Sequence, residues 1–379
     1  MTTLGQSGSA ELVDPAVLKS SFAAVAVQGD DVAMYFYNYL FLIRPELRSL
    51  FPLAMGEQRD RLLTALGRIV ANVDRMDELQ PYLAGLGRDH RRFGTIADHY
   101  PAVGEALLAT LAHFTGPDWT RALDTAWAAA YARVARAMTD GAAAAPGPAW
   151  YDGEIIEIDR RSFDLAVLRV RTGEEVPYRA GQSMALQATE LRPRIWRPYT
   201  PASKPGTREF DLHVRAIGGG TLSTALVRAA RPGEPVRFGA PYGRMVLDPA
   251  AVRPLLMIAG GTGLAPMLAM LEELAAAGGR PTHLFHGART ARELYANDRL
   301  ERLATDHRAW LTIETATSDD DVRAGAHGRI GEVAAGRGEW AGHDVYVCGS
   351  PEMVEGTVKA LVSRGVSEAR IVFEEFGKA

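Results

Sequence analysis

The chain changes its hydrophobic rhythm twice. From Asp14 to about Asp140 apolar residues recur at three- and four-residue intervals, glycines are scattered and no period-two alternation occurs, which predicts helices throughout. Asp14-Pro15 offers a cap followed by a first-turn proline. Residues 1–10 are small and polar and predict a loose tail. Ala142-Ala143-Ala144-Ala145-Pro146-Gly147-Pro148 then interrupts the pattern, as a linker or as the frayed end of the last helix. Beyond it, Gly153–Ile158, Asp164–Val170 and Glu209–Val214 alternate like half-buried strands, and short strands with glycine and proline turns predict a small antiparallel barrel. The last third alternates strands (Pro254–Ala259, Thr282–His286, Leu311–Glu314, Asp344–Cys348) with helices (Met267–Ala277, Ala291–Ala304, Pro351–Ser363), the rhythm of an open, mostly parallel sheet. The expected architecture is multidomain: all-α over 11–141, a linker at 142–149, an antiparallel β-barrel over 150–248, and an α/β parallel-sheet domain over 249–379.

Composition narrows the function. A length of 379 residues exceeds one typical core, and 47% hydrophobic with 23% charged residues describes a globular chain. The net charge of −4 gives no electrostatic reason to expect nucleic acid or an anionic membrane. A single cysteine, Cys348, excludes an internal disulfide framework and a cysteine-held iron–sulfur cluster. No apolar run is long enough to span a bilayer and no signal-peptide pattern opens the chain, so a cytoplasmic location is expected.

The chemistry begins at Arg197-Pro198-Tyr199-Thr200. A guanidinium that forks onto phosphate, a phenol that lies against a ring system and a hydroxyl that hydrogen-bonds a ring nitrogen suit a flavin. The glycine-rich turn Gly218-Gly219-Gly220-Thr221-Leu222-Ser223 follows. Later an apolar strand runs into Gly260-Gly261-Thr262-Gly263-Leu264-Ala265-Pro266 and a helix, where backbone amides and the helix N-terminus suit a pyrophosphate. Alone, that turn is equally a tight strand-to-helix connection. Cys348 is either a small apolar residue ending a buried strand or a neighbour of the nicotinamide; nothing points to a nucleophile.

Together with Val347-Cys348-Gly349-Ser350-Pro351-Glu352-Met353 and the ending Phe373-Glu374-Glu375-Phe376-Gly377, these motifs make residues 150–379 resemble the ferredoxin–NADP reductase superfamily. The resemblance implies that Arg197 binds the FAD pyrophosphate, that Tyr199 packs on the isoalloxazine and that Thr200 faces its N5. It implies that the backbone from Gly220 to Ser223 holds the FAD phosphates, that Cys348 and Gly349 lie beside the nicotinamide, and that Phe376 covers the flavin. His286-Gly287-Ala288-Arg289-Thr290 bears on the dinucleotide: Arg289 suits the extra phosphate of NADPH, whereas the run resembles NADH-using members. NADH is the expected donor, with NADPH the alternative.

In the helical half, Leu79, Leu83, Leu86, His90 and Phe93 form one stripe expected to face a core. Met34, Tyr37 and Phe41 form another, and Gln58 and Leu62 open the next helix one turn apart. His90 is a buried histidine satisfied by a hydrogen bond, or an axial ligand to iron. Tyr37 and Gln58 reach solvent or backbone, or face a polar ligand in an apolar pocket. Phe36-Tyr37, Pro45-Glu46-Leu47 with Phe51, Gln58, His90, Val103–Leu111 and Ala126-Trp127 with Tyr131 resemble the globin domain of flavohaemoglobins, whose order of domains is also that found here. The resemblance implies haem b with His90 as proximal ligand, Tyr37 and Gln58 as the distal pair, Leu62 as apolar lid and Phe51 as a haem-packing aromatic. Tyr100 matches a tyrosine that contacts the proximal histidine in that family. The family's glutamate partner falls in the alanine run near Ala142, with Asp140 a conceivable substitute. Asp89 stands where a lysine is common, and Ser183 where a tyrosine is common.

The activity so implied is nitric oxide dioxygenation: NAD(P)H reduces FAD, FAD reduces haem, and nitric oxide reacts with dioxygen at the haem to give nitrate. The partners are then dioxygen, nitric oxide and NAD(P)H, with no nucleic acid, no membrane and no obligatory protein partner. The alternatives are a haem–flavin reductase acting on peroxides or another donor, a dioxygen-binding or sensing globin kept ferrous by its own reductase, and a plain reductase whose helical domain holds no haem.

Overall fold

The computed structural model describes residues 14–191, 195–320 and 325–376. The tail expected over 1–10, the start of the helical domain at 11–13 and Gly377 of the C-terminal motif lie outside them. The chain divides into two compact units between Ala149 and Trp150.

The first unit contains six α-helices among its described residues: α1 (Pro15–Ala26), α2 (Asp30–Ile43), α3 (Gly56–Ala71), α4 (Met76–Arg91), α5 (Tyr100–Thr115) and α6 (Arg121–Ala143). Asp14 caps α1 as expected, its carboxylate accepting from the Ala16 amide. Val25, Phe36, Tyr37, Leu40, Leu107, Leu111 and Trp127 share the main core, whereas Met34, expected beside Tyr37, is 42% exposed. At about 100° per residue, Val32, Ala33, Phe36, Tyr37 and Leu40 form the buried arc of α2 with Tyr37 at its edge, and Met34 falls about 60° beyond that edge. The interrupting segment divides: Ala142 and Ala143 belong to α6, and Ala144 follows as its C-cap. Helices α4 and α6 cross at backbone contact, because a side chain on Gly87 would meet the Met138 carbonyl and one on Gly141 would meet Ala84.

In the second unit, β1 (Tyr151–Ser162), β2 (Leu165–Thr172), β3 (Met184–Ala188), β4 (Arg197–Tyr199), β5 (Glu209–Arg215), α7 (Thr221–Arg228) and β6 (Pro235–Phe238) come first. The strands form an antiparallel sheet in the order β4-β3-β6-β1-β2-β5. A bridge between Pro201 and Leu212 brings the end beyond β4 back to β5, so the sheet is a nearly closed barrel. Leu168, Leu212, Phe210 and Phe238 fill it. The glycine-rich turn at 218–220 leads into a helix, α7, that alternation alone did not predict.

The remainder is β7 (Leu255–Gly260), α8 (Leu264–Ala276), β8 (Thr282–Ala288), α9 (Asn297–Asp306), β9 (Leu311–Thr317), β10 (Ala326–His327), α10 (Ile330–Arg337), β11 (Asp344–Gly349), α11 (Pro351–Val362) and β12 (Ile371–Glu375). The sheet is parallel, in the order β10-β9-β8-β7-β11-β12. The chain therefore builds outward from β7 on one side and then returns to the other, which creates a switch point between β7 and β11. The single helix expected over 291–304 is two pieces, a 3-10 turn at Ala291–Glu293 and then α9. The break arises because the Glu293 carboxylate folds back onto the Arg289 and Thr290 amides, while Tyr295 turns inward to His213.

Candidate functional site

In the first unit, His90 stands in the last turn of α4. Its Nδ1 lies 2.6 Å from the Leu86 carbonyl, an acceptor only, so Nδ1 carries the proton and Nε2 keeps its lone pair. Burial holds the imidazole pKa below its usual value, which keeps the ring neutral. A neutral histidine with one nitrogen tied to a carbonyl and the other bare is the protonation pattern of a metal ligand. The stripe that carries it is only partly inward: Leu79 and Leu83 are buried, but Phe93 lies past the helix end and is 37% exposed. Tyr100 opens α5 and packs beside Leu79 and Leu83, and its carbonyl accepts from the Tyr131 hydroxyl. No hydrogen bond joins the Tyr100 hydroxyl to His90, whose Nδ1 proton goes to the Leu86 carbonyl. Asp140, on α6, is not hydrogen-bonded to His90 either. Asp89 pairs with Arg92 at 3.7 Å.

Tyr37 and Gln58 meet. The Gln58 side-chain amide donates to the Tyr37 oxygen at 3.1 Å, while the phenol's own proton has only the Gln58 backbone carbonyl at 3.4 Å. Burial raises the phenol pKa to about 12, against a smaller lowering by Gln58, so it stays a donor at neutral pH. Phe41 stacks on Tyr37 at 5.9 Å, Phe51 meets it edge-on at 5.4 Å, and Leu62 packs against the same core. A protonated phenol with one lone pair filled and its proton weakly engaged, in aromatic surroundings, is built to donate to a small polar guest.

In the barrel, β4 carries Arg197, Pro198 and Tyr199, with Thr200 directly after. Arg197 donates to the Trp196 carbonyl, Tyr199 is partly buried against the barrel core, and burial raises its phenol pKa. The Thr200 hydroxyl is buried and lies 2.7 Å from Ser183 Oγ, which donates to Glu374 Oε1 at 2.8 Å. Glu374 is a residue the sequence did not single out. Its other carboxyl oxygen is buried without a partner, and burial raises its pKa despite the bond from Ser183. The C-terminal motif was visible, but which of its two glutamates turns inward depends on β11–β12 pairing, which sets Glu374 opposite Cys348. At the other phosphate motif, Gly220 caps α7, and a side chain there would collide with Ser223 and Ile217, leaving the backbone bare. Leu222 and Ser223 are buried, and Ser223 Oγ is turned to the Gly220 carbonyl, so the first-turn amides rather than that hydroxyl remain for an anion.

At the switch point, Gly260 ends β7, a 3-10 turn spans Gly261–Gly263, and α8 starts at Leu264 with Pro266 buried in its first turn. Gly261 adopts φ +53°, and a side chain on Gly263 would strike the Cys348 carbonyl. The two glycine motifs of this domain thus touch: Gly263, Cys348, Gly349 and Met353 pack together, and the Phe376 amide donates to the Gly349 carbonyl at 2.7 Å. Cys348 is fully buried, and burial with Glu374 nearby pushes its thiol pKa well up, so it is a neutral thiol and not a nucleophile. Arg289, just beyond β8, pairs with Glu293 at 3.0 Å, and Glu293 also takes Arg215 of β5 at 3.1 Å.

Among the described residues no helix is long and apolar enough to cross a membrane. Three family models match in chain order: a globin over 35–138, an oxidoreductase FAD-binding domain over 152–247, and an oxidoreductase NAD-binding domain over 257–359. A flavohemoprotein of Rhizobium meliloti is 27% identical over 95% of this chain and 96% of its own length. One of Deinococcus radiodurans is 28% identical over 92% of each. The ferredoxin–NAD(P)+ reductase component of a Pseudomonas putida naphthalene 1,2-dioxygenase system is 30% identical over 59% of this chain and 68% of its own. Among solved structures, a flavohemoglobin from Malassezia yamatoensis with bound FAD and heme shares the fold, with a TM-score of 0.74 at 20% identity over 96% of this chain and 98% of that one.

Proposed function

We infer that this chain, which belongs to the flavohaemoglobin family, is a nitric oxide dioxygenase. It is an NAD(P)H-dependent oxidoreductase of the haem- and FAD-containing kind, and the finer assignment is the choice of nitric oxide and dioxygen as substrates. Haem and FAD, when bound, supply the iron at which dioxygen and nitric oxide combine to nitrate and the carrier that splits a hydride into single electrons. The single observation that carries the reading is the Tyr37–Gln58 pair: a buried, protonated phenol with its proton weakly engaged.

The residues then divide the work. His90 would hold the iron through Nε2, with Leu86 fixing its tautomer. Tyr37 donates a hydrogen bond to the oxygen guest and Gln58 orients the phenol, while Phe51 and Leu62 keep water out. A carbonyl partner leaves His90 less basic than a carboxylate partner would, which disfavours the peroxide alternative. Tyr100 is given no part in tuning His90.

In the second unit, Arg197, Tyr199, Thr200 and the backbone from Gly220 to Ser223 would seat FAD, and the Gly260–Gly263 turn with Pro266 behind it would take the NAD(P)H pyrophosphate. Cys348, Gly349 and Phe376 would line the nicotinamide side. With Glu374 ionised, Ser183 donates to it and Thr200 donates to Ser183, so Thr200 offers a lone pair to the flavin edge. With Glu374 protonated the chain reverses and Thr200 offers a proton. NADH is the proposed donor, because Glu293 already neutralises Arg289. Glu293→Gln should raise the NADPH-to-NADH ratio of kcat/KM severalfold, and an unchanged ratio would count against that choice. A cytoplasmic location, with small molecules as the partners, belongs to the same proposal.

The test is nitrate formation by the haem- and FAD-loaded protein given NADH, dioxygen and nitric oxide. Nitrate should form catalytically in the wild type and fall to background in His90→Ala. Background nitrate in the wild type would refute the assignment.

A further inference from the structure

The dinucleotide turn is held from below by a histidine that none of the roles above uses. His286 lies on β8, opposite Ala259 of β7, one pair before Gly287 faces Gly260. It is completely buried, and its Nε2 lies 3.2 Å from the Gly261 carbonyl, the residue with φ +53°. A carbonyl only accepts, so Nε2 carries the proton. Nδ1 is then a bare acceptor, buried with no partner. A buried ring that leaves one nitrogen unsatisfied is a cost that apolar packing would avoid. The Gly261 carbonyl also accepts from the Leu264 amide at the start of α8. Tyr295 meets the ring edge-on at 6.1 Å, and its hydroxyl lies 2.7 Å from Nδ1 of His213 on barrel strand β5.

We propose that His286 is a positioning residue for the dinucleotide: it ties the Gly261 carbonyl toward β8, so that the turn presents amides, and not a carbonyl, to the pyrophosphate. The reason is electrostatic. A glycine at this φ rotates freely enough to swing its carbonyl oxygen toward the anion, where its partial negative charge would repel phosphate. The Leu264 amide restrains that carbonyl from the helix side, and a neutral N–H donor from the adjacent strand adds a second restraint before the ligand arrives. Tyr295 and His213 fix the ring in turn, linking the turn to the barrel. The inference rests on the reading of Gly260–Gly263 as the dinucleotide turn.

The experiment is calorimetric titration of the haem- and FAD-loaded full chain with ADP-ribose, which carries the pyrophosphate without the nicotinamide, alongside steady-state kinetics with NADH. His286→Leu removes the donor. His286→Asn keeps a buried amide but is too short to reach Gly261, and serves if the leucine variant does not fold. His286→Gln restores a donor near the position of Nε2. The Kd for ADP-ribose should rise about tenfold in the leucine and asparagine variants and stay within about twofold of wild type in the glutamine variant, with KM for NADH following it and kcat at saturating NADH little changed. Equal affinity in all four proteins, or a glutamine variant as weak as leucine, overturns the positioning role. No binding of ADP-ribose by the wild type would instead overturn the assignment of the turn, and the inference with it.

Discussion

Single atoms decide the chemistry of the globin unit. The Tyr37 oxygen receives a hydrogen bond from Gln58 and has only a long contact for its own proton. Replacing the phenol by phenylalanine removes a donor and little volume. Tyr37→Phe should therefore speed dioxygen dissociation from the reduced protein by about tenfold or more, as expected for loss of a hydrogen bond worth about 1.5 kcal/mol or more to a charged acceptor. Flash photolysis or stopped-flow mixing measures the rate, and an unchanged rate would remove Tyr37 from its role. Tyr37, Gln58 and His90 stood out in the sequence as polar types among apolar helical positions, and the structure brings Tyr37 and Gln58 together. Glu374, Ser183 and His286 were not legible in their parts. Their meaning depends on which atom meets which, across strands far apart in the chain. Tyr100 matches a family pattern, yet its hydroxyl makes no hydrogen bond to His90, whose partner is Leu86.

Some helices and strands of this chain leave a clear trace in the sequence and others do not, for physical reasons. The βαβ strands carry continuous apolar runs bounded by glycine and were found nearly residue by residue, as Leu255–Gly260 and Asp344–Gly349 show. The helix expected at 291–304 breaks because Glu293 caps it and Tyr295 turns inward, and side-chain events of that kind leave no periodic trace. The strand Ile371–Glu375 was missed because it is short and its glutamates break the apolar run. The α4–α6 crossing depends on two glycines. Gly87 lies one turn before His90, and an added methyl group would meet the Met138 carbonyl. Gly87→Ala should destabilise the unit by about 1–3 kcal/mol through overpacking, despite alanine's better helix propensity. Chemical denaturation followed by far-ultraviolet dichroism measures this, and a variant as stable as wild type would show that the helices separate freely.

For the molecule as a whole, the second unit carries a pH signature. Burial lowers the pKa of His286 to about 4 and that of His213 to about 3, the latter with help from Arg299, His286 and Arg161. Both lie below the ordinary value of about 6.5, so the unfolded chain takes up protons first. The stability gained by keeping the rings neutral is complete above about pH 6.5 and is lost as pH falls toward 4 and then 3, amounting to ~3–5 kcal/mol per ring on full titration. Denaturation between pH 7 and about 4.5 should show the wild type losing stability more steeply than His286→Gln. Parallel curves would mean that His286 does not titrate as a buried neutral ring.

In the proposed reaction, electrons from NADH pass through FAD and haem and end in nitrate. Dioxygen plus nitric oxide plus one electron makes nitrate, so each NADH serves two turnovers. The most direct measurement is therefore simultaneous recording of NADH consumed, nitric oxide consumed and nitrate formed by the loaded protein under excess dioxygen. Nitrate should equal the nitric oxide consumed and be twice the NADH consumed, once NADH oxidation without nitric oxide is subtracted. NADH oxidation that nitric oxide does not increase, or nitric oxide loss without matching nitrate, would contradict it.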